Sequence, residues 1–454
     1  MTGVQTCALP ICQTEDQIQP IEADRISTTV SSGAGLLYPF DANIARANFI
    51  NNPNNRTYQP RAYANQYTLP EKVYQYTASM QQELGGGIGV GIAYVGSQGR
   101  NLFLRSIANR IIGVQSNGAS AGTVVREFDI VACGNGTSGT GFLCSNAGGI
   151  ASIQRPYAEV DYKTSGGHDS YNSMQLSATK RSSNGLALNF QYTLSYSKGN
   201  TGGSNEATTA SNNARALSDF EFENGYNNFD VRHTFNMSAL YTTPGKGMLT
   251  GGWMLGAIAN ARSGLPVPVI ITRPDIVYVD GNGLVWNNAA ADRTAVVNVP
   301  GGGASRNTRR PDLIPGVNPF IEANGLLFIN PAAFTTPRPG TFGNLTRNAI
   351  HGPGFKQVDL VIGKRLPVGG GRSAELRLEI FNLFNFTNFT NPVGTLPNAL
   401  PGAGDSATQA NRVQPGQPYS ASSAGTFGLI TSTVARTVGL GTNRQMQLGF
   451  RFNF

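Results

Sequence analysis

The chain has 454 residues and a net charge of +8, but only 13% of its residues are charged, against about 25% in a typical soluble protein. Asn, Ser, Thr and Gln supply the polarity instead, which suits neutral walls and loops better than a salt-bridged exterior. No stretch approaches the ~18 consecutive apolar residues of a membrane helix, so a membrane form would have to be a closed β-barrel. No compact Lys/Arg cluster with interleaved aromatic residues is present, so nucleic acid is not an expected partner.

The first segment, residues 1–12, is not expected to be native protein. It opens with the letters MTGVQTCALPI, which resemble the conceptual translation of a common sequencing-adapter oligonucleotide. The segment has neither the basic start nor the long apolar core of a signal peptide. We therefore expect the natural gene to begin upstream of Gln13. Residues 13–70 are rich in Asn, Pro and Tyr, show no clean period, and are interpreted as a loop or irregular segment of a barrel.

From residue 71 onward, apolar and polar residues alternate in nine segments, and this alternation predicts β-strands with one apolar and one polar face. Eight segments pair into four hairpins across short turns rich in Gly, Pro or Asn. The hairpins are Tyr74–Met80 with Ile88–Tyr94, Met174–Ala178 with Leu186–Tyr196, Phe229–Tyr241 with Gly252–Ala261, and Val358–Ile362 with Ala374–Ile380. The ninth segment is Asn443–Phe454, at the end of the chain.

Long polar inserts separate the hairpins, at about residues 99–167, 199–228, 263–354 and 391–442. Short turns and long inserts therefore alternate, and every short turn falls on the side where the chain ends. Transmembrane β-barrels sort their connections in this way, with short periplasmic turns and long extracellular loops, whereas a soluble sandwich is not expected to. The pattern predicts an all-β, antiparallel transmembrane β-barrel in the outer membrane. Nine strands is an odd number, and bacterial barrels have even numbers, so we expect further strands upstream.

The terminal segment alternates to its last residue, with apolar side chains at every second position from Met446. An aromatic end in phase with an apolar stripe looks like the closing strand of an outer-membrane barrel, whose stripe faces lipid. Phe450, Phe452 and Phe454 are the candidate signal for the barrel-assembly machinery. The alternative is a sandwich strand whose apolar face meets a core, because any half-buried strand alternates.

Few residues suggest site chemistry. Cys133 and Cys144 bracket a Gly/Ser/Thr-rich segment, and this spacing predicts a disulfide in an oxidising compartment, since no His or further Cys lies nearby to make a zinc site. Asp280–Gly283 lacks the ligand run of a calcium loop. No catalytic triad can be assembled from the three histidines, which lie far apart, at His168, His233 and His351. We predict no enzyme activity, no cofactor and no metal site.

Seven short motifs stand out between residues 70 and 454: Tyr171–Arg181, Phe229–His233, Ser263–Pro266, Asn330–Phe334, Gly340–Leu345, Gly352–Phe355 and Glu379–Asn385. Their order and spacing resemble the C-terminal half of Oar-like TonB-dependent outer-membrane receptors, with the last motif, EIFNLFN, the strongest. The resemblance implies a barrel of roughly 22 strands around an N-terminal plug, often preceded by a carboxypeptidase-regulatory-like domain. This chain shows neither the plug nor the short segment that binds TonB.

The resemblance implies a receptor that takes up a ligand across the outer membrane with energy relayed through the TonB complex. The expected partners are outer-membrane lipid, the TonB complex and a small-molecule or oligomeric ligand, with the long inserts as the ligand-contact surfaces. A passive porin and a barrel that displays loops for adhesion are the alternatives. The upstream gene would separate them, because a plug domain supports the receptor, and a signal peptide leading straight into strands supports the porin.

Overall fold

The computed structural model describes Arg25–Ile26, Tyr58–Gln59, Arg61–Tyr63 and residues 70–454, with gaps at 116–121, 146–147, 156–159, 202–213, 217–218, 246, 248, 301–308, 325, 371, 435–440 and 442. The adapter-like segment 1–12 and most of residues 13–70 lie outside the described residues. The described pieces of 13–70 are short strands. Arg25–Ile26 pairs antiparallel with Tyr58–Gln59, and Arg61–Tyr63 runs parallel to a long strand that begins at Val160.

Nine long strands form one sheet, in which each strand pairs antiparallel with its neighbours in sequence. They are β1 (Lys72–Glu83), β2 (Ile88–Ala108), β3 (Val160–Ser183), β4 (Leu186–Gly199), β5 (His233–Pro244), β6 (Gly251–Arg262), β7 (Phe355–Gly369), β8 (Arg372–Phe381) and β9 (Gln445–Asn453). The prediction of an all-β, antiparallel fold with nine strands from residue 71 is confirmed. Among the described residues β1 and β9 do not pair with each other, so the nine strands form an open sheet.

The apolar residues of successive strands lie opposite one another. One row of paired residues crosses eight strands and is apolar at all positions but one. It runs through Ile88, Lys180, Leu188, Ala239, Ala257, Leu360, Ile380 and Met446. Because side chains alternate between faces, this register puts all the apolar stripes on one face of the sheet. We call it the lipid face, and the opposite, polar face the lumen face.

The lipid face does not pack against a protein core. Met80 is 68% exposed, Leu448 77% and Phe450 68%. All three hydrophobic clusters in the described part of the chain are built from insert residues and none from the nine strands. The alternative of a sandwich strand over a core is therefore wrong. Within the described ranges, no helix has the length and apolar character that a membrane crossing requires.

The four short connections all lie at the edge of the sheet where β9 ends, as the parity of the sequence predicts. One two-residue turn joins β3 to β4 through Asn184 and Gly185, with φ values of 52° and 82°. Two-residue hairpin turns of this hand need positive φ at both positions, and Asn and Gly tolerate it best. The opposite edge carries the long inserts.

The boundaries of the first insert were predicted wrongly. Strand β2 continues to Ala108 and β3 begins at Val160, so both ends of the predicted insert at 99–167 are paired strand. Polarity alternates along a strand only where its two faces meet different surroundings. Beyond the lipid both faces meet water, so a stretch such as Ser97–Arg100 has no apolar stripe and still pairs with β3.

Two other boundaries differ. Strand β5 begins at His233, not at Phe229, because residues 227–230 turn instead: the Asp230 N–H donates to the Asn227 carbonyl at 3.0 Å, and the Asp230 carboxylate accepts from the Ser197 N–H at 2.6 Å. Strand β9 ends at Asn453, and Phe454 is 99% exposed. The third insert, 263–354, lies between β6 and β7 as predicted.

The inserts contain short strands and single helical turns. The antiparallel pairs are Ile111–Val114 with Val124–Arg126, Pro266–Val267 with Ile350–His351, Asp312–Leu313 with Phe334–Thr335, and Phe320–Asn324 with Leu327–Ile329. Ile130–Cys133 lies between Ser138–Thr140 and Ile150–Gln154, and Ile276–Asp280 between Val285–Trp286 and Arg293–Val297. Ile270–Ile271 pairs in parallel with Thr395–Leu396, and Gly225–Tyr226 pairs with β4. The helical turns are Glu221–Glu223, Pro331–Ala333 and Ala421–Ala424.

Neighbouring residues on β3 test the two faces. Leu176 lies on the lipid face between Ile92 and Tyr192, and Gln175 lies on the lumen face. We expect Leu176→Arg to cost about 2–4 kcal/mol of folding free energy in a bilayer, because a charge near the midplane loses its hydration. Gln175→Arg is expected to change it by less than about 0.5 kcal/mol. Denaturant titration of the chain folded into lipid vesicles measures both, and equal losses would contradict the assignment of the faces.

Candidate functional site

The four inserts leave the same edge of the sheet and fold against one another. We call residues 109–159, 200–232, 263–354 and 382–444 the outer cap. The largest hydrophobic cluster joins the third and fourth inserts. Its buried members are Val267, Val269, Ile271, Ile329, Ala333, Phe334, Leu345, Ile350, Leu396, Ala399, Val413, Tyr419, Ala424 and Phe427. Segments from both inserts also pair as strands, at Ile270–Ile271 and Thr395–Leu396. The cap is thus a folded body with its own core.

Tyr419 shows how this core accommodates polar atoms. Its ring is buried, and its hydroxyl donates to the Pro397 carbonyl at 2.8 Å and lies 3.1 Å from the Thr336 hydroxyl. Burial raises the pKa of Tyr419 to about 12, because the ionised phenolate would be poorly solvated. The ring therefore stays neutral at physiological pH and serves as a buried hydrogen-bond donor.

Arg273 is a buried cation that donates hydrogen bonds to several loop carbonyl oxygens. Its guanidinium donates to the carbonyl oxygens of Asn298 at 2.9 Å, Thr341 at 3.0 Å and Pro337 at 3.2 Å. Burial and the neighbouring Arg309 lower the pKa of Arg273 to about 10, so the group is still charged at neutral pH. A guanidinium presents several donors in one plane, and here they hold distant parts of the third insert together.

Further arginines link different inserts. Arg310 of the third insert pairs with Glu223 of the second, and both side chains are buried, at 4% and 1% exposed. Arg347 of the third insert donates to the backbone carbonyls of Gly199 and Asn200, where β4 ends. Burial is the main cause that lowers the pKa of Arg347 to about 10. These contacts fix the third insert on the second and on the upper end of the sheet.

Asp275 ties the first insert to the third. Its two carboxylate oxygens contact Arg126 of the first insert at 3.6 Å and Arg309 of the third at 2.5 Å. The cap therefore presents a continuous surface to which all four inserts contribute. None of these charged residues was predicted as part of a site from the sequence. Local sequence carries no signal for their burial, because each meets partners that are far away in the chain.

The structure joins Cys133 and Cys144 in a disulfide, with Cα atoms 5.6 Å apart. Both cysteines are buried beside Val125 and Val131 in a small core within the first insert. The bridge therefore belongs to the cap and lies apart from the terminal phenylalanines. Phe450 and Phe452 are on the lipid face of β9, and Phe454 follows that strand at the opposite, short-turn edge. Their role as an assembly signal stays a prediction.

The histidines and the acidic turn have structural partners. The Nε2 atom of His168 is 3.2 Å from Glu221, Nδ1 of His233 is 2.8 Å from the Tyr192 hydroxyl, and Nε2 of His351 is 3.6 Å from Asp230. The Asp280 carboxylate accepts from two backbone N–H groups of its own turn and from the Trp286 indole at 2.9 Å. In the described part of the chain, no group of three or more His, Cys, Asp or Glu side chains could hold a metal ion.

The lumen face below the cap is polar with one apolar interruption. Arg377 and Glu379 on β8 pair at 2.7 Å, which balances charge within a single strand. Leu240 on β5 and Ile258 on β6 also point to this face and are 43% and 50% exposed. With Asp359 and Val361 they line a cavity of about 590 Å³. The alternation in the sequence did not predict that Leu240 and Ile258 would point to the lumen face.

An antiparallel sheet with an apolar outer face, a polar inner face and long connections at one edge defines the class of outer-membrane β-barrel proteins. The outer membrane beta barrel domain family matches residues 10–447, and the chain belongs to this family. The protein is therefore located in the outer membrane. No curated protein sequence matches the chain.

Three solved structures are similar to this chain at low identity. The FrpB iron transporter from Neisseria meningitidis (F3-3 variant) is 11% identical over 86% of this chain and 32% of its own, with a TM-score of 0.31. The outer membrane transporter YddB from Escherichia coli is 8% identical over 75% and 32%, with a TM-score of 0.30. A Pseudomonas aeruginosa FadL homologue is 9% identical over 68% and 60%, with a TM-score of 0.18. The chain spans about a third of the length of the first two.

The buried pair in the cap gives a test with a matched control two residues away. Glu223→Gln leaves the Arg310 cation buried without its counter-charge, and we expect it to lower the folding free energy by about 3–5 kcal/mol. Glu221→Gln removes a carboxylate that is 71% exposed and contacts His168 and Asn200, and we expect it to lower the folding free energy by less than about 1 kcal/mol. Hydrogen exchange of the second and third inserts measures both. Unchanged protection in Glu223→Gln would show that the pair does not hold the cap together.

The cysteine bridge is tested by thiol counting. Without reductant, we expect alkylation of the folded and then denatured chain to add two adducts, at Cys7 and Cys12, and four after reduction. A Cys7→Ser/Cys12→Ser variant should give no adducts without reductant and two adducts after reduction. The Cys133→Ser/Cys144→Ser variant should lose about 3 kcal/mol of stability in the first insert, since the closed loop is short. Four adducts without reductant would contradict the bridge.

Proposed function

We propose that this chain is part of a receptor that binds a ligand on the outer cap and passes it through the barrel across the outer membrane. More specifically, we propose a TonB-dependent receptor, the class whose motifs the sequence resembles. The observation that carries the proposal is the cap itself. A large, internally cross-linked surface at the extracellular edge supplies the many contacts that ligand recognition by a receptor needs.

The order within the cap favours binding. Binding is weakened by the entropy that is lost when loops become ordered. The loops of the cap are already ordered by folding, so less entropy is lost when a ligand binds. Arg273, Arg310 and Arg347 join distant parts of the inserts, so the cap is folded before a ligand arrives. Exposed aromatic side chains such as Phe320 and Phe384, at 38% and 59% exposed, are available for contact. The polar lumen face then offers a path that a hydrophilic ligand can follow.

The proposed partners follow from the same assignment. Energy would come from the TonB complex of the inner membrane, through the plug domain that receptors of this class contain. The ligand is a small molecule or an oligomer. The terminal strand, with Phe450 and Phe452 on its lipid face, would present the recognition signal to the barrel-assembly machinery. We propose no catalytic step, since transport by this route requires no covalent chemistry.

Energy dependence separates the receptor from its alternatives. In cells that carry the complete gene, uptake of one or more solutes from a panel of labelled metal chelates and oligosaccharides should exceed uptake in a deletion strain at least tenfold. A protonophore that collapses the inner-membrane gradient should abolish the difference. Uptake that survives the protonophore would identify a passive porin, and cell adhesion lost on deletion without any uptake difference would identify an adhesin. Either result would overturn the receptor proposal.

A further inference from the structure

The lipid face of β1–β4 ends in a band of tyrosines toward the cap. Tyr74, Tyr76, Tyr94 and Tyr196 are each at least 41% exposed and follow the lipid-facing residues of their strands in phase. The Tyr94 hydroxyl donates to Asn172 at 2.7 Å, and Tyr76 stacks on Tyr94 with ring centroids 6.0 Å apart. Aromatic girdles of this kind mark the boundary between hydrocarbon and head groups. The outer leaflet surface therefore lies at this level.

Three cations occupy the same outward face: Lys198 lies in the register row of Tyr74, and Lys72 and Arg100 lie one row further toward the cap. Lys72 on β1 is paired in register with Arg100 on β2, which faces His168 on β3. One row closer to the tyrosines, Gln98 faces Ser170, which faces Lys198 on β4. These side chains point away from the lumen, because they continue the phase of the lipid stripe.

The charge of this patch is not neutralised by protein. In the described residues, neither Lys72, Arg100 nor Lys198 forms an ion pair, and the nearby Glu221 is engaged by His168 at 3.2 Å. The Arg100 guanidinium is held by the Gly99 carbonyl at 2.8 Å and by Gln98 at 3.1 Å. The Lys198 ammonium lies 4.3 Å above the Tyr226 ring centroid. Both cations are thus oriented while donors remain for an outside partner.

The cations border an open cavity of about 540 Å³, whose lining includes Gln98, Arg100, His168, Ser170 and Lys198. Two cations converge there, while the Ser170 hydroxyl donates to the Lys198 carbonyl at 3.1 Å and the His168 imidazole contacts Glu221. The two cations match a phosphate, for which guanidinium and ammonium groups are the usual ligands. Lys72 extends the positive surface along β1.

We propose that this patch binds the phosphate-bearing head group of an outer-leaflet lipid, whose acyl chains lie along the apolar stripe below the tyrosines. The position commits the site to lipid rather than to a soluble anion, because the cavity opens on the outer wall and continues the lipid face. The proposal rests on the membrane placement of the sheet and does not depend on transport.

The test uses the full chain in zwitterionic detergent, titrated with micellar phosphatidic acid and, in parallel, phosphatidylcholine. The variant Lys72→Gln/Arg100→Gln/Lys198→Gln should bind phosphatidic acid roughly 100-fold more weakly than the parent, since each Lys or Arg near an anionic lipid surface contributes a factor of about five. The matched control Arg110→Gln/Arg181→Gln/Arg451→Gln removes the same charge from exposed positions elsewhere and should keep parental affinity. A retained β-sheet circular dichroism spectrum establishes folding of both variants.

Each outcome decides the proposal. Selective loss in the patch variant, with phosphatidylcholine binding unchanged in all three proteins, supports a phosphate-specific lipid site. Equal loss in the control variant would show that net charge alone acts, and would overturn it. If millimolar inorganic phosphate displaced the lipid completely, the site would bind free phosphate, and the assignment to lipid would fall.

Discussion

A strand in lipid must pair every backbone N–H and C=O with a neighbouring strand, because no water is present to replace a missing bond. This constraint fixes the register of the sheet, and the register fixes which side chains meet lipid. A slip of one residue in any strand would turn its apolar stripe into the lumen. The aligned row from Ile88 to Met446 shows that eight strands obey the same phase. The single charged member, Lys180, lies near the short-turn edge, where its ammonium reaches the Gly86 carbonyl at 3.3 Å.

The cap obeys a different constraint, because it must build a core without long strands. Many of its backbone groups pair with side chains instead, and buried arginines meet several carbonyls at once. This explains why Arg273 and Arg347 are almost completely enclosed despite their charge. An apolar residue could fill either space, but it would leave those carbonyls unsatisfied. These buried contacts join distant segments of the inserts, so the surface geometry of the cap is tied to its interior.

The hairpins could be predicted from sequence because their two faces meet lipid and polar surroundings, so apolar and polar residues alternate along each strand. The cap could not, because its short strands are enclosed by other inserts and leave no period. Leu265–Ile271 illustrates the difference. Its prolines exclude a membrane span, and yet Val267, Val269 and Ile271 are central to the cap core. Paired strand was also missed wherever both faces meet water, as in Ser97–Arg100.

The family-like motifs carried information that periodicity did not. Ser263–Pro266 and Gly352–Phe355 are far apart in sequence, but the Gly352 N–H donates to the Leu265 carbonyl at 2.8 Å. A Cβ atom at Gly264 would collide with the Gly352 carbonyl, so glycine is needed for this approach. In Glu379–Asn385, Asn382 is buried, with φ of 52°, and its side chain bonds both backbone groups of Phe386 at 2.8 and 2.9 Å. These motifs therefore supply contacts at the base of the cap.

Along β1 to β4, the residues that point outward are therefore of three successive types, as their surroundings change. The same outward positions carry aliphatic groups in the hydrocarbon, then tyrosines at its boundary with Lys198 in the row of Tyr74, and then Lys72 and Arg100. Cations are costly beside hydrocarbon and gain most from phosphate, so this order matches the chemical gradient of a membrane leaflet. Above that level the strands enter the cap, where Arg347 holds the end of β4 and solvent exposure no longer decides the pattern. Along these strands the outward side chains therefore face hydrocarbon first and lipid head groups next, before the chain enters the inserts.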